Sequence, residues 1–202
     1  MQLETELYIE QVERLPKFGQ QIIAQTIDNQ IIVYQAFNPK IANYAVKNQK
    51  FGGSHYNFER MSWIKPNFLW MMYRAGWAMK EHQQNILAIW LPLEKFSEIY
   101  NSAVHSSFIP QIYQTEENWK QQMQNSNVRL QWDPDHDPFG NKIERRAVQL
   151  GLKGETLRKF GTEWITKIED ITNFVKTEYR NVVEQKLDQL IVPKEDIVET
   201  LQ

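Results

Sequence analysis

The sequence predicts an α+β protein with a mixed or mostly antiparallel sheet flanked by helices, and three observations carry that prediction. β-branched runs at residues 21–27 and 30–37 flank the polar pair Asp28-Asn29, the pattern of a hairpin. Residues 85–91, closed by Pro92, form an apolar run too short for a core helix, and residues 128–132 and 143–152 read as two more strands. Elsewhere the apolar spacing changes to threes and fours. The resulting order is hairpin, helix, helix, strand, helix, two strands and a final helix, not a regular βαβ alternation.

The elements follow from local chemistry. Asn38-Pro39 opens a helix over residues 39–48, with Asn38 as cap and Pro39 in the first turn. Phe51-Gly52-Gly53-Ser54 is a loop, and residues 65–76 form the next helix, with Pro66 at its start and Gly76 near its end. Residues 93–104 and 116–124 read as helices. Asp-Pro turn chemistry joins the two late strands. From Glu163 onward, Trp164, Ile168, Ile171, Val175, Tyr179, Val182 and Leu187 recur at steps that predict one amphipathic helix over about residues 163–190. That helix packs on the sheet or offers a seam to a second copy, so a monomer or a weak homodimer is expected.

At 202 residues the chain reads as one domain, 19–202, behind a lead-in segment 1–18 broken at Pro16. Hydrophobic residues are 42% and the net charge is −2, which favours a globular protein over disorder and speaks against strong global attraction to nucleic acid or anionic membrane. The absence of cysteine excludes disulfides, thiolate zinc and a cysteine nucleophile. The acidic start lacks the features of a signal peptide, and no apolar run has the roughly 20 residues of a bilayer span, so the expected location is cytoplasmic, away from membranes.

Three constellations carry candidate chemistry. The first is the block from Ser62 to Trp77, with Trp63, Trp70 and Trp77 seven residues apart among Lys65, Asn67 and Arg74. On a helix the tryptophans share a stripe, Trp70 and Arg74 form a cation–π pair, and Arg60, Lys65 and Arg74 are cations for a phosphate or carboxylate. The same block also reads as an aromatic core helix with solvated cations. The second, Asp133-Pro134-Asp135-His136-Asp137-Pro138 with Glu144, partly imitates a calcium loop, but Pro138 stands where the turn glycine belongs. It reads as a rigid turn or as a functional loop in which Asp135 and His136 act as base or ribose ligand. The four histidines have no metal-ligand spacing, and no metal is expected. The third is a basic region, Lys142, Arg145, Arg146, Lys153, Arg158 and Lys159, suited either to phosphate or RNA or to salt bridges with Glu144 and Glu155.

Four strings, Val33–Ala36, Arg60–Arg74, Arg129–His136 and Arg145–Leu152, together resemble the family called domain of unknown function 4291, over roughly residues 15–190. More remotely, the strand and helix over residues 31–46 resemble the opening of ADP-ribosyltransferase domains. That resemblance implies a polar residue on the first strand at the adenosine side of NAD and a late-strand glutamate at the nicotinamide ribose. The matching positions hold Gln35 instead of His or Arg, and Gln149 instead of Glu, which implies an atypical site. The expected ligand set is then Tyr34, Gln35, Arg60, Ser62, Trp63, Lys65, Trp70 and Arg74. The expected catalytic set is Gln149, Asp135 and His136, with NAD as substrate and a protein or nucleic acid as acceptor. A nucleic-acid-binding or nucleic-acid-modifying protein, and a non-catalytic interaction module, are the competing expectations.

Overall fold

A computed structural model of the chain describes residues 3–199. In chain order its elements are β1 (Thr5–Leu7), α1 (Tyr8–Arg14), β2 (Ile23–Ala24), β3 (Thr26–Ile27), β4 (Gln30–Phe37), α2 (Pro39–Asn48), β5 (Ser62–Ile64), α3 (Phe68–Ala75), β6 (Asn85–Pro92), α4 (Leu93–Asn101), β7 (Val104–His105), α5 (Pro110–Tyr113) and α6 (Glu116–Asn125). Then come β8 (Val128–His136), β9 (Lys142–Leu152), α7 (Gly154–Lys159), a π-helical turn (Phe160–Trp164), β10 (Lys167–Asp170), α8 (Thr172–Val183), β11 (Ile191–Pro193) and β12 (Asp196–Ile197). The class is α+β. Among the described residues no helix is long and apolar enough to cross a membrane.

Two four-stranded sheets dominate, ordered β10-β6-β4-β3 and β5-β9-β8-β7, antiparallel except for the β7/β8 pair. Strands β4 and β6 are apolar at every central position except Gln35, because both their faces are covered. Ile31, Val33, Leu87 and Ile89 face one core with Leu130, Val148 and Leu150 of the second sheet. Ile32, Tyr34, Ile86, Ala88 and Trp90 face the other, with α3 and the Val175–Val182 side of α8. The hairpin turn forms as expected, Asp28 and Asn29 both taking left-handed φ of 49° and 60°. Its first arm is short, however, since Ile23–Ala24 pair with the C-terminal β12 instead.

Among the described residues one backbone bridge joins the two sheets. Tyr34 and Lys65 exchange backbone hydrogen bonds, Tyr34 N–H to Lys65 O at 2.7 Å and Lys65 N–H to Tyr34 O at 3.2 Å. Beyond this bridge β4 and β5 separate. The bridge also delays the helix expected from residue 65. Lys65 is held extended ahead of Pro66, as a pre-proline residue prefers, and Asn67 then caps α3 by accepting from Trp70 N–H at 2.7 Å.

The long C-terminal helix is not formed. Trp164 lies in the π-helical turn and Ile168 in β10, where it pairs with Ile89. Asp170 accepts from Thr172 N–H at 2.9 Å and starts α8 there. The apolar steps therefore served two element types in succession, since Ile168 is buried as a strand residue and Ile171, Val175 and Val182 as helix-side residues. Helix α4 likewise ends at Asn101, and residues 104–105 join the sheet edge instead.

Candidate functional site

Where β4 and β5 diverge, the gap opens into a cleft of about 550 Å³. Gln35 sits at its root. Its side-chain Nε2 donates to Ser62 Oγ at 2.8 Å and to Trp63 O at 3.0 Å, spanning the gap that the backbone no longer closes, while its Oε1 is buried with no partner. Arg60 and Trp63 come from the β5 side, and Arg74 projects from the last turn of α3. The floor is the outward face of the second sheet, where register places Gln131 opposite Gln149. Both amides hold one carboxylate: Gln131 Nε2 donates to Asp133 Oδ1 at 2.8 Å and Gln149 Nε2 to Asp133 Oδ2 at 2.7 Å. Gly151 leaves room beside them for Trp63, since a Cβ there would lie 2.9 Å from the indole and 2.7 Å from Met61 Sδ.

The cleft is cationic and its cations are unpaired. Among the described residues neither Arg60, Lys65 nor Arg74 makes a side-chain hydrogen bond or ion pair. Lys65 is only 5% exposed. Burial depresses its pKa to about 8, the Arg74 charge adds to that fall, and Asp133 partly opposes it. Such a set of unneutralised cations beside aromatic surface and fixed amides suits a phosphate-bearing ligand with a flat ring.

Seven of the expected site residues therefore converge on this cleft: Gln35, Arg60, Ser62, Trp63, Lys65, Arg74 and Gln149. Four lie elsewhere. Tyr34 is fully buried, its side chain facing the opposite core against Phe68. Trp70 does not pair with Arg74; it stacks on Tyr73 and His136, with ring centroids 5.3 and 5.2 Å away. His136 is packed against Tyr73 at 3.5 Å, and burial lowers its pKa. Asp135 is buried in an ion pair with Arg145 Nε at 2.6 Å. The tryptophans share no stripe, because Trp63 is on a strand and Trp77 follows the helix in a left-handed conformation.

Two polar lining residues, Gln83 and Gln131, were not expected. Gln131 was hidden by a bulge. The turn sets His136 opposite Lys142, but the ladder slips between Pro134 and His136, and only this brings Gln131 to Gln149. The acidic loop itself is a turn: Asp137 accepts from Phe139 and Asn141 N–H at 2.9 and 2.8 Å, and Gly140 supplies a φ of 86°. In the basic region Arg145 pairs with Asp135, Arg158 with Glu59 and Lys159 with Glu155.

Fold and site thus define an α+β protein with a cationic cleft at the junction of two sheets. The chain belongs to the family described as Domain of unknown function (DUF4291), whose family model matches residues 21–198. No curated protein matches the sequence.

Proposed function

We propose that the cleft binds a nucleotide, with NAD the foremost candidate, and that the protein is an ADP-ribosyltransferase-like enzyme with an atypical site. The observation that carries this reading is the convergence of Gln35, Ser62 and Gln149, from three strands of two sheets, on one cleft ringed by three unpaired cations. Arg60 and Arg74 would take the pyrophosphate, since the planar guanidinium binds phosphate oxygens in pairs. Trp63 offers a ring face. In ADP-ribosyl transfer the bond from ribose to nicotinamide breaks with positive charge growing on the sugar, and a fixed carboxylate lowers that barrier. Gln149 cannot supply one, but it fixes Asp133, which can. The nucleic-acid reading has less support, because three of the arginines and lysines that suggested it are committed to ion pairs.

Titration with NAD, followed through tryptophan fluorescence and calorimetry, tests the proposal. Arg60→Ala and Arg74→Ala are each expected to weaken binding by roughly tenfold to a hundredfold, the equivalent of about 1.5–3 kcal/mol for one charge-assisted contact. Absence of binding at millimolar NAD, or affinity indifferent to both substitutions, overturns it.

A further inference from the structure

Lys65 is the one lining residue whose position nucleotide binding alone does not explain. A lysine that only attracts phosphate works from the rim, where its charge is solvated. Lys65 is instead nine-tenths buried at the root of the cleft, anchored through its backbone to Tyr34, and its amine meets no acceptor. The charged groups facing it are Arg74 from α3, whose like charge disfavours the ammonium, and Asp133 from β8, which is held by two amides. Arg60 lines the same cleft. Desolvation beside a second cation enlarges the neutral, nucleophilic fraction of an amine, and a nearby carboxylate balances the charge that develops when it reacts.

We propose that Lys65 condenses with the open-chain aldehyde of a phosphorylated aldose, forming an imine inside the cleft, with Arg60 and Arg74 holding the phosphate. The Lys65 Nζ lone pair adds to the carbonyl carbon and the carbonyl oxygen takes up a proton, giving a carbinolamine. That hydroxyl then leaves as water with a nitrogen-derived proton, so amine and aldehyde become imine and water with no change in oxidation state. The step deepens the nucleotide reading, on which it rests for the claim that the cleft accepts a phosphorylated sugar. ADP-ribose itself carries such a masked aldehyde once nicotinamide has left.

The test uses the full-length protein with ribose 5-phosphate and sodium cyanoborohydride, which reduces an imine to a stable secondary amine, followed by peptide mapping. Labelling is expected at Lys65 on the order of tenfold to a hundredfold faster than at exposed lysines such as Lys142. The advantage comes from burial and the neighbouring Arg74, which lower the Lys65 pKa to about 8 and enlarge its neutral fraction. Unphosphorylated ribose is expected to lose most of that preference, and Arg74→Ala to reduce it. Lys65→Arg removes the adduct, and wild-type mapping stands without any variant. Labelling spread evenly over surface lysines overturns the proposal. If NAD binds the same preparation calorimetrically while Lys65 stays unlabelled, only the covalent step fails. If Lys65 is labelled selectively while NAD does not bind, the covalent step stands and NAD is the wrong ligand.

Discussion

Lys65 shows how much of a residue's role its own sequence neighbourhood reveals. A cation directly before Pro66 at a helix start is out of place, and that was legible. Its burial was not, because burial follows from a backbone bridge to Tyr34 thirty-one positions away. The burial has a measurable consequence. The folded protein releases the Lys65 proton near pH 8, whereas the unfolded chain holds it until about 10.5. Between those values the unfolded state binds more protons, so stability rises with pH across that interval, and below it the charged lysine costs on the order of 3 kcal/mol. Lys65→Met is therefore expected to raise stability near neutral pH and to remove this rise, as read by urea unfolding at about pH 7 and about pH 10. A second residue-scale expectation concerns Gly151. Gly151→Ala forces Met61 and Trp63 to move, since the added methyl lies inside their contact distance. The expected cost is about 1–3 kcal/mol, with weaker nucleotide binding through the displaced indole. A variant with unchanged stability and an unmoved Trp63 emission spectrum contradicts that packing.

Among the elements, α2, β4, β6 and the β8/β9 hairpin were legible because caps and apolar runs act locally. Asn38 accepts from Ile41 N–H at 3.1 Å, as its place before Pro39 suggests. The C-terminal helix was not legible, because Trp164, Ile168 and Ile171 satisfy helical spacing while Ile168 actually fills a strand position in β10. Helix α3, which carries Arg74, depends on a partner that local sequence hides. Glu195, near the far end of the chain, accepts from Phe68 N–H at 2.7 Å and from Asn67 Nδ2 at 3.3 Å. Burial raises its pKa well above the usual carboxylate range, partly offset by the Phe68 N–H bond. A raised carboxyl favours the folded state at low pH and loses that contribution as pH climbs past the unfolded value. Glu195→Ala leaves the Phe68 N–H buried and unpaired and is expected to cost about 1–3 kcal/mol. Glu195→Gln, which keeps an acceptor, is expected to cost less and to remove the fall in stability that Glu195 contributes as pH climbs past the unfolded value. Equal losses in the two variants contradict the cap.

At the scale of the whole molecule, the cleft is placed by topology. Two sheets share one bridge at Tyr34 and Lys65, and their separation beyond it creates the cleft. Class and the four longest strands, β4, β6, β8 and β9, could be read from the sequence, as could seven of the lining residues, because polar groups stand out within apolar strands. The junction could not be read, because it rests on pairings between distant segments and on the slip at Pro134 that brings Gln131 to Gln149. The central claim is that three unpaired cations there await an anionic nucleotide. It is tested most directly by calorimetric titration of NAD near pH 8 in buffers of differing ionisation enthalpy. An anion beside Lys65 raises its pKa, so binding is predicted to be single-site, to take up a fraction of a proton, and to weaken as pH rises through about 9. Binding without proton uptake, unchanged in Lys65→Met, or no binding at all, would contradict the account.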